Sequence, residues 1–156
     1  MNLSGKQKIA ATRARVWEGL NDPEVLRQSI PGCQSMEKQA DDRFTATVAI
    51  KVGPIGARLV GVVTISDLDP INSYTLTCEG DGGTTGFVKS IIRVQLAEEE
   101  GGTVLAYQVN AQVGGRLAQL GGAVVEATAK QLAAKFFKRF GEILVAPAAA
   151  EPAIAA

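Results

Sequence analysis

The spacing of apolar residues changes twice along the chain. Near the N-terminus, Lys8-Ile9-Ala10-Ala11 closes a short strand. Thr12 then stands at the head of a helix whose apolar face is Val16, Trp17 and Leu20, the i, i+1, i+4 spacing of a 3.6-residue turn. Asp22-Pro23-Glu24 predicts a second helix start: a capping oxygen, a proline at the first helical position and an acid in the first turn. That helix carries Val25, Leu26 and Ile30 and stops at Pro31-Gly32.

From Cys33 to Val113 the period is two, as expected for half-buried strands. Phe44, Ala46, Val48, Ile50 and Val52 alternate with Thr45, Thr47, Ala49 and Lys51, and after a turn at Gly53-Pro54-Ile55-Gly56 the next strand spans Leu59 to Ile65. Tyr74, Leu76 and Cys78 share one face, as do Val88, Ser90, Ile92, Val94 and Leu96, and then Leu105, Tyr107, Val109, Ala111 and Val113. Glu98-Glu99-Glu100-Gly101-Gly102 is the solvated tip between the last two. After Gly114-Gly115 a long helix is expected, with Leu117, Leu120, Val124, Leu132, Phe136, Phe140 and Ile143 on one side. About six antiparallel strands, preceded by a strand and two short helices and followed by a long helix, predict an α+β fold. The arrangement that buries one sheet face and one helix face is a curved antiparallel β-sheet gripping the long C-terminal helix, with the two short helices closing the open end. This makes one domain over residues 1–145 and a flexible Ala/Pro-rich tail over 146–156.

Composition narrows the chemistry more than the architecture. The chain of 156 residues has no histidine, which removes Ser-His-Asp and Cys-His catalysis and His-ligated metals. Sixteen basic and sixteen acidic residues give a net charge of zero, without the basic excess of a nucleic-acid binder. Cys33 and Cys78 match no CxxC pattern and read as two small hydrophobes in a reducing cytosol, a disulfide between them being the alternative. The first residues lack the apolar stretch of a secretory signal, so a cytoplasmic location is expected. No cofactor and no metal site are expected.

The inward positions of the sheet mix branched residues with small ones, namely Ala46, Gly61, Gly86, Ser90 and Ala111. The helix is thin as well, through Ala118, Gly121, Gly122, Ala123, Ala127, Ala133 and Ala134. Facing small residues either bring the layers together or leave an apolar void, and the residues alone leave both open. Inward acids and bases are scarce. Tyr74 and Tyr107 are the inward phenols, able to orient a bound carbonyl or simply to satisfy a neighbour. Cys78 has no histidine to activate it as a nucleophile. The glycine-rich Gly80–Gly83 and Gly53–Gly56 segments read as hairpin turns, and Gly114-Gly115-Arg116 as a weak anion site at a helix start.

Ser29-Ile30-Pro31-Gly32-Cys33, Lys51-Val52-Gly53-Pro54-Ile55 and Gly114-Gly115-Arg116-Leu117-Ala118-Gln119-Leu120-Gly121 resemble the carbon monoxide dehydrogenase G-subunit family, within the START-like (SRPBCC, helix-grip) superfamily. The resemblance runs over residues 1 to about 145 and implies a cavity between sheet and helix. It also implies an accessory role beside a molybdenum-containing carbon monoxide dehydrogenase or related hydroxylase, bringing it to the membrane and handling a lipophilic molecule such as a quinone. Larger relatives extend into a hydrophobic tail, whereas Ala146-Pro147-Ala148-Ala149-Ala150-Glu151-Pro152 is too short and weakly apolar to anchor directly.

The reading that follows is a non-catalytic binding protein for a quinone or other lipid, with molybdenum hydroxylase subunits as partners and no nucleic acid or direct membrane anchor. The expected lining is Trp17, Leu26, Ile30, Val48, Ile50, Leu76, Ile92, Tyr107, Leu120, Val124 and Phe136. The alternatives are an adaptor or maturation factor for the hydroxylase with the cavity incidental, and a small START-like cyclase or hydratase.

Overall fold

The computed structural model describes residues 1–155, with side chains through Val145. Seven strands form one antiparallel sheet: β1 (Asn2–Ile9), β2 (Cys33–Ala40), β3 (Arg43–Val52), β4 (Ile55–Asp69), β5 (Ser73–Asp81), β6 (Phe87–Glu99) and β7 (Gly102–Gly114). Their order is β1-β7-β6-β5-β4-β3-β2, so β1 and β2 are opposite edges although they follow each other in sequence. The chain crosses between those edges through α1 (Arg13–Leu20) and α2 (Pro23–Ser29). Both helices start where the side chains can satisfy free N–H groups: the Arg15 amide donates to Thr12 Oγ1 at 3.2 Å, and the Glu24 amide to Asp22 Oδ1 at 2.9 Å. Register shifts within the β2–β3 and β4–β5 ladders accompany the bending of the sheet around α3 (Gly122–Ala155). The loose tail expected over 146–156 lies outside the residues described to side-chain level.

Three boundaries differ from the sequence reading. Cross-strand pairing runs to Val52↔Ile55, so only Gly53-Pro54 turns, and β4 is much longer than Leu59–Ile65. The acidic tip likewise shrinks to Glu100-Gly101, because Glu98 and Glu99 continue the ladder as partners of Thr103 and Gly102. Most consequential, the long helix does not begin at Gly114-Gly115. A short 3-10 helix, Gly115–Leu120, comes first, set off by Gly115 at φ +70° and Gly121 at φ +92°. Left-handed backbone at those two positions is open to glycine at little cost and breaks the α-helical path.

The packed core lies at the two ends of the sheet and leaves its middle open. At one end Ile9, Val16, Leu20, Phe44, Ile65, Tyr74, Val94, Leu96, Leu105, Phe140 and Leu144 form the main cluster, joining the sheet to α1 and the later turns of α3. Here α1 and α3 approach closely at Gly19, where an added Cβ would lie 2.7 Å from Leu144 Cδ2. Thr103, fully buried, donates from Oγ1 to the Ala11 carbonyl at 2.8 Å and ties β7 to the approach of α1. At the other end Val52, Ala57 and Leu117 make a smaller cluster backed by Ile50, Ile55, Val88, Val113 and Leu120. Each cluster is a plug: the first includes Phe140 and Leu144 of α3, the second Leu117 of the 3-10 helix that leads into it.

Candidate functional site

Between the plugs, the inward side chains of the central strands are Ala46, Val48, Ile50, Leu59, Gly61, Val63, Leu76, Cys78, Val88, Ser90, Ile92, Val109 and Ala111, placed by the two-residue period and the ladder register. Most of them stay half-buried although they sit at the centre of the sheet, since α3 opposes them with Thr128, Ala129 and Ala133 and does not fill the gap. Small faces small, and the outcome is a void. It has two adjoining lobes of about 410 and 400 Å³ that share Met1, Ile30, Val63, Cys78, Val88, Ala111, Ala129, Leu132, Ala133 and Phe136. The first lobe reaches toward Val52 and Leu117, the second toward Phe44, Tyr74 and Leu105. Of the small residues read from the helix, Ala133 lines the void, whereas Ala118, Gly121, Gly122, Ala123, Ala127 and Ala134 do not reach it.

Of the residues expected to line a cavity, the structure brings Leu26, Ile30, Val48, Ile50, Leu76, Ile92, Tyr107 and Phe136 to its wall. Trp17 stands behind the wall, edge-on to Tyr74 with ring centroids 5.2 Å apart. Leu120 and Val124 gather instead around the β3–β4 turn, where a Cβ at Gly53 would lie 3.3 Å from Val124 Cγ1 and 3.9 Å from Leu120 Cδ1. Leu120 lies on the 3-10 helix ahead of the break at Gly121, and Val124, in the first turn of α3, is left 37% exposed. The wall also includes Phe44, Tyr74, Phe137 and Leu132, which the expected lining did not contain. Strand parity with Leu76 already places Tyr74 inward, and Leu132 lies one helical turn before Phe136.

Polar chemistry on the wall is sparse. Cys33 and Cys78 are both free thiols, and Cys78 faces the cavity directly opposite Ser90 in the ladder. Burial raises the Cys78 pKa above its ordinary value, offset in part by a hydrogen bond from Ser90. Burial also raises Tyr74, with the nearby Cys78 sulfur adding to the shift. Both groups are held neutral in the fold, so their contribution to stability is complete below the pKa of the unfolded side chains and is lost as pH rises through the folded values. Denaturant midpoints should therefore hold to about pH 9, the ordinary thiol value, and fall above it. Cys78→Ala should make that fall shallower without removing it, because burial also raises the Cys33 thiol and Tyr74. A fall as steep as that of the wild type would contradict this role of Cys78.

The anion site considered at Gly114-Gly115-Arg116 has lost its basis, because those residues open a six-residue 3-10 helix and not the long α-helix. Among the described residues no group of three His, Cys, Asp or Glu side chains could hold a metal ion, and no helix is long and apolar enough to cross a membrane.

The arrangement is that of the START-like helix-grip fold, and comparisons place the chain within it. The family model for the carbon monoxide dehydrogenase G subunit (CoxG) matches residues 5–144, and the chain belongs to that family. A conserved protein from Geobacillus kaustophilus is similar at 29% identity and a TM-score of 0.88, over 94% of this chain and 97% of that one. The same fold is shared by Ara h 8.0201, at 18% identity and TM-score 0.69 over 94% and 98% of the two chains. It is shared too by protein Ms6760 from Mycobacterium smegmatis, at 20% identity and TM-score 0.69 over 93% and 91%. No curated protein sequence gives a significant match.

Proposed function

We propose that this member of the CoxG family is a non-catalytic accessory protein. In this reading it carries a lipophilic, quinone-like molecule for a carbon monoxide dehydrogenase or related molybdenum hydroxylase. The observation that carries the reading is the void itself: a two-lobed space walled by Val, Leu, Ile, Ala and Phe, kept open by packed plugs at both ends. An unfilled apolar space of this size forfeits the dispersion contacts that close packing supplies, and an apolar guest restores them. The cavity-facing thiol and the fully buried phenol are both shifted upward, away from the ionised form that a general base at neutral pH would need. The protein works in the cytoplasm and reaches the membrane through the enzyme it serves.

The direct test is organic extraction of protein purified gently from its native host, followed by mass spectrometry, with a pull-down for the hydroxylase from the same lysate. A lipophile at a stoichiometry near one, together with a co-purifying molybdenum hydroxylase, is the expected result. A clean extract alongside that hydroxylase would overturn the carrier reading and leave an adaptor.

A further inference from the structure

The two lobes differ in chemistry, and the geometry points to a bipartite guest: a flat ring bearing a hydrogen-bond-accepting oxygen in the lobe beside Tyr74, and an aliphatic chain in the lobe beside Val52. This rests on the carrier reading above and adds which lobe takes which part of the guest.

The deeper lobe is aromatic. Phe44, Tyr74, Tyr107, Phe136 and Phe137 all contribute to its wall, and several hold one another in fixed geometry. Tyr107 stacks on Phe137 at 5.3 Å and 26°, while Phe136 meets Phe137 edge-on at 5.1 Å. The Tyr107 ring lies across β1 because Gly5 is its partner there: a Cβ at Gly5 would come 2.8 Å from the ring carbon Cζ. Preset aromatic faces and edges favour a planar ring by quadrupole complementarity over a flexible chain. The other lobe has Phe136 as its single aromatic and is otherwise built from side chains such as Val48, Ile50, Leu59, Val113 and Leu117, which suit a branched hydrocarbon.

Hydrogen-bonding capacity divides the same way. In the aliphatic lobe the Thr128 hydroxyl is already spent on the Val124 carbonyl at 2.9 Å. In the aromatic lobe the Ser90 hydroxyl lines the wall opposite Cys78 in the ladder, and a thiol is a weak partner that a carbonyl oxygen would displace. A ring oxygen seated against β6 would take the Ser90 proton with the rest of the ring among the aromatic side chains.

The test uses the sole tryptophan, Trp17, whose indole packs on the back of Tyr74 and so reports a quinone ring in the deeper lobe by quenching. The probes are menadione, a bare methylnaphthoquinone ring, and phylloquinone, the same ring with a phytyl chain. Both should quench Trp17. Ser90→Ala should weaken both alike, by about three- to tenfold, the loss of one hydrogen bond. Val48→Phe or Val113→Phe, which narrow the aliphatic lobe, should weaken phylloquinone at least about tenfold and leave menadione within about twofold. Thermal transitions near that of the wild type confirm that these variants fold. Binding without quenching, or a loss of menadione in the Val48 and Val113 variants, overturns the orientation and leaves the carrier reading intact. Failure of both probes to bind, with a clean native extract, removes the carrier reading itself.

Discussion

Phe140→Ala is expected to cost about 3–5 kcal/mol of folding stability, the range for removing a fully buried aromatic side chain. For a chain of this length that is a fall in Tm on the order of 10 °C. Phe140 has no solvent exposure and lies where three parts of the main plug meet. Its ring stacks on Phe136 at 5.3 Å and 15°, and it packs against α1 at Gly19, where an added Cβ would lie 3.2 Å from Phe140 Cε1. The neighbours cannot collapse into the space, because the sheet strands behind them are fixed by their ladders and Gly19 has no side chain to move in. The transfer term and the cavity term therefore add. The matched control is Val60→Ala on the outer sheet face, 58% exposed, which should stay within about 0.5 kcal/mol. Equal losses in urea titrations of the two variants would contradict the placement of the core at the α1–α3 end.

That placement marks the division between what the sequence makes legible and what it does not. Features decided within a few residues are readable. The Thr12 and Asp22 caps depend on one side-chain oxygen and the amides just after it. The faces of β3, β5, β6 and β7 follow from a two-residue period that every strand must obey. Gly115 and Gly121 are read less well, because glycine serves equally in a cap, a turn or a close approach, and only the fold reveals that both take left-handed φ. The displacement of Leu120 from the expected wall is a direct consequence. The cavity is the least local feature. Ala46, Gly61 and Ala111 on the sheet and Ala129 and Ala133 on α3 are compatible with tight contact as well as with a gap. The choice is made far away, by the Phe140–Leu144 packing at one end and Val52–Leu117 at the other, which set the helix height over the middle of the sheet. The resemblance carried by the Ser29–Cys33, Lys51–Ile55 and Gly114–Gly121 motifs implies the cavity where the residues alone leave it open.

The same geometry yields the second large effect. Ala111→Trp should abolish uptake of a lipophilic guest, with at least about a hundredfold loss of affinity, while leaving the fold close to wild-type stability. Ala111 is 7% exposed, pairs with Ser90 in the β6–β7 register, and lines both lobes where they join. An indole projecting from this position enters space that no side chain occupies, so it displaces the guest and not the core. Overpacking in a filled interior costs about 1–3 kcal/mol, but here the added ring gains apolar contacts with Ala129, Ala133 and Phe136 that the empty protein lacks. The measurements are the lipophile content of the purified variant by extraction and its denaturant midpoint. Phe140→Ala and Ala111→Trp thus separate two roles of apolar residues: one loses stability because its site is packed, the other loses binding because its site is not. Wild-type guest content in Ala111→Trp would falsify the cavity assignment. A large loss of stability in the same variant would mean that the middle of the sheet is closed by α3 after all.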